Sequence, residues 1–146
     1  QTVYLTGQKR ALARIDAAWQ EFLSSIAGLS DEQASRPGVA GYYSVNDILA
    51  HLAWWEDQTR EVIEEGRDGT IDVEALNNRI FAENKNASFA ELKQRLINIH
   101  ARARATILVA PNLTEDDVKD DTWEHWEEHG EQIRAWRIAN GISRSS

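Results

Sequence analysis

An all-α fold, a four-helix bundle, is predicted by three observations. Four segments repeat apolar residues at three- and four-residue steps. No stretch alternates apolar and polar residues as a half-buried strand would. Each helical segment has a single apolar stripe, and four such helices bury their stripes best against one another. The 146 residues match the length of one domain, so 1–146 is read as a single unit.

The first helix is expected from about Gly7 to Ala27. Its stripe is Leu12, Ile15, Trp19, Phe22 and Ile26, with Thr6 as N-cap and Gly28 as C-cap. Leu29 to Tyr43 is a connection broken by Pro37, Gly38 and Gly41. It has room for one short turn at Ser30-Asp31-Glu32-Gln33, which has capping-box spacing. The second helix runs from Val45 to about Glu65, capped by Ser44 with Asp47. Its stripe is Ile48, Leu52, Trp55, Thr59 and Val62, and Gly66 and Gly69 end it.

From Thr70 to Ala87 the pattern is mixed. Val73, Leu76, Ile80 and Phe81 suggest a short amphipathic helix inside a long crossover between helices 2 and 3. The third helix opens with the capping box Ser88-Phe89-Ala90-Glu91. It carries Phe89, Leu92, Leu96, Ile99, Ala103 and Ile107, and stops before Pro111. Asn112 to Asp121 reads as an acidic loop. The fourth helix runs from near Thr122 to about Ile138, and the acidic residues at its start suit the helix dipole.

Charge and composition narrow the function classes. A formal charge of -8 argues against nucleic acid as a partner, because phosphate binding needs a basic face. Lys93, Arg95, Arg102 and Arg104 form the one basic segment, read as a solvated face paired with the acidic C-terminal region. No run approaches the ~18 apolar residues of a membrane span. The absence of cysteine excludes disulfides, thiolate metal sites and a cysteine nucleophile. No charged and then apolar leader is seen at the start, so a cytoplasmic location is expected. Because Gln1 and not Met opens the chain, a removed leader stays open.

The chemistry-bearing stretch is Trp123-Glu124-His125-Trp126-Glu127-Glu128-His129. On a helix, His125 and His129 are spaced i, i+4 and can offer two imidazoles to one ion. His129 falls on the stripe of Trp126, Ile133 and Trp136, and His125 flanks it. The residue after His125 is Trp126, where a zincin would have glutamate, which disfavours a metalloprotease. His51 borders the inward stripe of the second helix, where it could become a third ligand. Three neutral imidazoles would leave positions for water or substrate. His100 is read as a flank residue and not a ligand. The aromatics Trp54, Trp55, Trp123, Trp126 and Trp136, with Tyr42 and Tyr43, serve mostly as packing. Gly130 costs about 1 kcal/mol inside a helix and suggests close packing or room for a ligand. Gly66-Arg67-Asp68-Gly69 lacks the ending of a phosphate loop, and no G-x-S-x-G elbow is present.

Several stretches appear together in a known family order. They are Trp19-Gln20-Glu21-Phe22-Leu23, Leu29-Ser30-Asp31-Glu32-Gln33, the run from Tyr43-Ser44-Val45 through His51-Leu52-Ala53-Trp54-Trp55-Glu56, and His125-Trp126-Glu127-Glu128-His129. The chain thereby resembles the DinB-like (YfiT-type) metal-dependent hydrolase superfamily, and within it the ClbS/DfsB branch. Tyr43 stands where many members carry Trp. The resemblance implies up-down-down-up order and a divalent metal, nickel or zinc, held by His51, His125 and His129. In that order the second and fourth helices run antiparallel. The fourth must then be offset along the axis for its histidines to meet His51.

The expected function is that of a metal-dependent hydrolase-like enzyme acting on a small molecule. The resemblance also implies, as alternatives, transfer of low-molecular-weight thiols, isomerisation, or opening of a reactive cyclopropane in a genotoxin. A non-catalytic metal- or ligand-binding stress-response bundle is the other reading. Glu56, Glu128 and Tyr43 are candidate bases. Related bundles are often homodimers, although no stripe here is surplus to the core.

Overall fold

The computed structural model describes residues 6–66 and 71–143. Among them are six helices: α1 (Gly7–Ile26), α2 (Asp31–Ala34), α3 (Val45–Glu65), α4 (Val73–Glu83), α5 (Phe89–Leu108) and α6 (Trp123–Ala139). The long helices α1, α3, α5 and α6 are the four that the periodicity predicts. The acidic connection holds a 3-10 turn at Glu115–Asp117, where the sequence suggested only a loop.

The caps explain why the helices start where they do. The Thr6 side chain accepts the Lys9 N–H at the start of α1. Ser30 and Ser44 form reciprocal boxes with Gln33 and Asp47, so α2 and α3 have paired first turns. Ser88 accepts from the Glu91 N–H ahead of α5. Gly66 closes α3 in the left-handed conformation, at φ 66°, which glycine adopts without a Cβ clash. The second stop signal, Gly69, and the Arg67–Gly69 loop lie outside the described residues.

Helix directions follow from which residues meet. Glu56 bonds His100 and Glu64 bonds Thr106, so α3 and α5 run parallel. Trp19 packs on Trp126, and Arg137 reaches the Ser25 carbonyl, so α1 and α6 are also parallel. Asp16 pairs with Arg104 and Gln8 reaches Ile107, so α1 opposes α5. The order is up-down-down-up. Parallel neighbours α3 and α5 need a long crossover, and α4 lies in it.

One apolar core joins the helices, with Ile15, Phe22, Ile48, Leu52, Leu92, Leu96, Trp126 and Ile133 among its buried members. Two apolar stripe positions are corrected. Val62 is 42% exposed, because the inward face of α3 turns polar along Glu56, Thr59 and Arg60. On α4, Val73 is also exposed, while Leu76 and Ile80 are buried.

His100 is buried, not on a flank: it bonds Glu56 at 2.8 Å and stacks on Trp19 with centroids 3.9 Å apart. The basic segment pairs elsewhere than expected. Arg104 binds Asp16 of α1, and Arg95 donates to Asn84 beyond α4. Among the described residues no helix is long and apolar enough to cross a membrane.

Candidate metal centre

Three histidines from two antiparallel helices converge. His51 lies in the second turn of α3, and His125 and His129 lie in the first two turns of α6. Thr59 faces Asp121 just before α6, while His51 reaches His125. The start of α6 is therefore level with the middle of α3. This is the axial offset that the topology requires, and the connection after α5 is long enough to permit it.

One ligating nitrogen from each imidazole lies within 4.8 Å of the others. The ring centroids of His51 are 4.7 Å from those of His125 and 5.3 Å from those of His129, and the last two are 4.8 Å apart. His51 Nε2 and His125 Nε2 face each other at 2.8 Å. His51 and His125 are partly buried and His129 is buried.

The outer nitrogens are oriented by neighbours. His51 Nδ1 lies 3.2 Å from Asn77 Oδ1 of α4, which also accepts the Trp55 indole N–H at 3.0 Å. His129 Nδ1 lies 2.6 Å from Gln132 Oε1. His125 Nδ1 is buried and has no partner.

The electrostatics favour neutral rings. Burial, reinforced by the nearby His129, holds His51 at a pKa of about 4. Burial and the charges of His51 and His129 hold His125 at about 3. Burial also lowers His129, against opposing contributions from Gln132 and Glu128. Neutral imidazole is the form that ligates a metal. Three imidazole nitrogens converging, with outer N–H groups of two rings already directed to carboxamide oxygens, make a donor set that could hold a metal ion. The facing Nε2 atoms of His51 and His125, with a nitrogen of His129, make an all-imidazole donor set, which suits a divalent transition-metal ion.

The three candidate bases sit differently. The Tyr43 ring is 6.1 Å from that of His51 and stacks on Phe81 of α4. Glu128 is exposed on α6. Glu56 is 1% exposed and committed to His100, so it belongs to the core pair and is removed from the list. Gly130 serves packing: a Cβ there would meet Phe22 Cδ1 at 3.8 Å and Arg134 Nη1 at 3.2 Å.

Sequence reasoning missed Asn77 and Gln132. Gln132 follows His129 by one helical turn, a spacing that could have found it. Asn77 comes from the crossover and carries no spacing signal toward His51.

The sequence pattern described as the DinB superfamily matches residues 14–140. No curated protein sequence matches the chain. Among solved structures, an uncharacterised protein from Escherichia coli UTI89 is similar, with a TM-score of 0.79 at 15% identity, covering 95% of this chain and 97% of its own. At that identity the likeness concerns the fold alone.

Proposed function

The chain belongs to the DinB superfamily, and from that premise we propose a metal-dependent, hydrolase-like enzyme whose ion is held by His51, His125 and His129. The observation that carries this reading is the convergence of three neutral imidazoles whose nitrogens lie within 4.8 Å of one another. Nickel and zinc both suit imidazole donors. A bound divalent ion would supply Lewis-acid chemistry toward a small polar substrate.

The residues of the chain do the rest. His51 and His129 direct their inner nitrogens by donating outward to Asn77 and Gln132. Tyr43 and Trp55 flank His51 and supply aromatic surface against which a substrate could be oriented. Tyr43 is the candidate proton carrier. Burial raises its pKa, so it stays protonated at neutral pH and would act as a donor. The formal charge of -8 favours a small molecule over nucleic acid.

The test is metal binding by equilibrium dialysis. Purified protein is expected to bind about one divalent ion per chain, and His125→Ala is expected to lose it. Protein that binds none, or a variant that binds as well as its parent, contradicts the reading.

A further inference from the structure

We propose that Asn77, on the crossover helix α4, is a positioning residue for the metal, acting through His51. The inference rests on the metal-site reading above, and it concerns a residue outside the three histidines. Its basis is a chain of donors and acceptors in which each link fixes the next.

The first link is Trp55. An indole N–H only donates. The Asn77 atom that meets it at 3.0 Å must therefore be the carboxamide oxygen and not the nitrogen, which settles the orientation of the amide. The second link is that same oxygen, 3.2 Å from His51 Nδ1. An oxygen already accepting from Trp55 can only accept again, so His51 carries its proton on Nδ1.

The third link follows from the tautomer. With Nδ1 protonated, the lone pair of neutral His51 is on Nε2, the nitrogen that faces His125 at 2.8 Å. The proton inventory thus directs the His51 lone pair into the histidine cluster, where in the metal-free protein it accepts from His125 Nε2–H. No other described residue is bonded to His51 on its outer side.

The placement of α4 fits this role. Leu76 and Ile80 bury one face of the helix against the bundle, and Asn77 sits beside that face. Phe81, one turn after Asn77, stacks on Tyr43 at 5.7 Å and 7°. The crossover is thereby tied to two sides of the same site.

The experiment compares zinc affinity, by chelator competition, in the full chain and in Asn77→Ala, Asn77→Asp and Trp55→Phe. Helicity by circular dichroism checks folding in each. Asn77→Ala is expected to weaken zinc binding by roughly 10–100-fold, and Asn77→Asp, which keeps the acceptor, is expected to preserve it. Trp55→Phe removes only the donor that fixes the amide and is expected to weaken binding less than Asn77→Ala. Nitrogen-15 NMR of the metal-free parent is expected to show His51 protonated on Nδ1, with the tautomers mixed in Asn77→Ala. Parent protein that binds no zinc overturns the metal-site reading and this inference together. Zinc binding by the parent, with folded Asn77→Ala or Trp55→Phe unchanged in affinity and His51 tautomer, overturns this inference alone.

Discussion

His51 and His125 are held well below the pKa of an ordinary histidine because burial disfavours the imidazolium, and this has a consequence for stability. Their folded values, about 4 and about 3, sit below the unfolded value of 6.5. Across that window the unfolded chain binds more protons than the folded one, so stability rises with pH and is lost as pH falls below 6.5. In metal-free protein, urea denaturation at about pH 7 and about pH 5 is expected to show a drop in midpoint, and a smaller drop in His125→Gln. Equal drops would mean that the ring of His125 is hydrated. The pair on α6 was readable from i, i+4 spacing, because a helix projects such residues from one face. The third ligand, His51, takes its meaning only from the pairing of α3 with α6, which spacing within one helix does not encode. The same limit explains why His100 was misread. Its local pattern puts it beside the stripe, but Trp19 and Glu56 from two other helices enclose it.

Helix boundaries were legible because caps are local. Thr6, Ser30, Ser44 and Ser88 each accept an N–H three residues on, an interaction the sequence shows directly. The reciprocal box of Ser44 and Asp47 matters most here, since it sets the start of the helix that carries His51. Ser44→Ala is expected to cost about 1 kcal/mol in urea denaturation. Gly130 tests the packing of α6. An added Cβ there would press only on the far end of the flexible Arg134 side chain and lie in ordinary contact with Phe22. Gly130→Ala is therefore expected to stabilise the protein by up to about 1 kcal/mol through helix propensity. A loss of stability of that size would show that Arg134 cannot move aside. The crossover was less legible. Its apolar spacing suggested a short helix and gave α4, but Val73 proved exposed and Asn77 proved to face His51. Polar residues in a connection have no periodicity from which to read a partner.

At the scale of the whole molecule, parallel α3 and α5 are fastened by a buried polar pair. Glu56 accepts from His100 Nδ1 at 2.8 Å, with both side chains nearly excluded from solvent. Burial raises the Glu56 pKa against the opposing effect of His100. Glu56→Ala would leave His100 without its partner and is expected to destabilise the protein by about 3 kcal/mol, while zinc stoichiometry in the folded fraction stays unchanged. Stability equal to the parent would show that the pair fixes helix pairing without net stabilisation. The up-down-down-up order gives this arrangement its purpose. It sets α3 beside both α5 and α6, so one face of α3 is locked into the core and its second turn delivers His51 to the start of α6.

The central claim is that these imidazoles share one ion. Anomalous X-ray diffraction from crystals of zinc-loaded protein, collected at the zinc edge, tests it most directly. The account predicts a peak at which nitrogens of His51, His125 and His129 all converge, absent from His125→Ala crystals. A peak that excludes any of the three residues, or no peak among them, would contradict it.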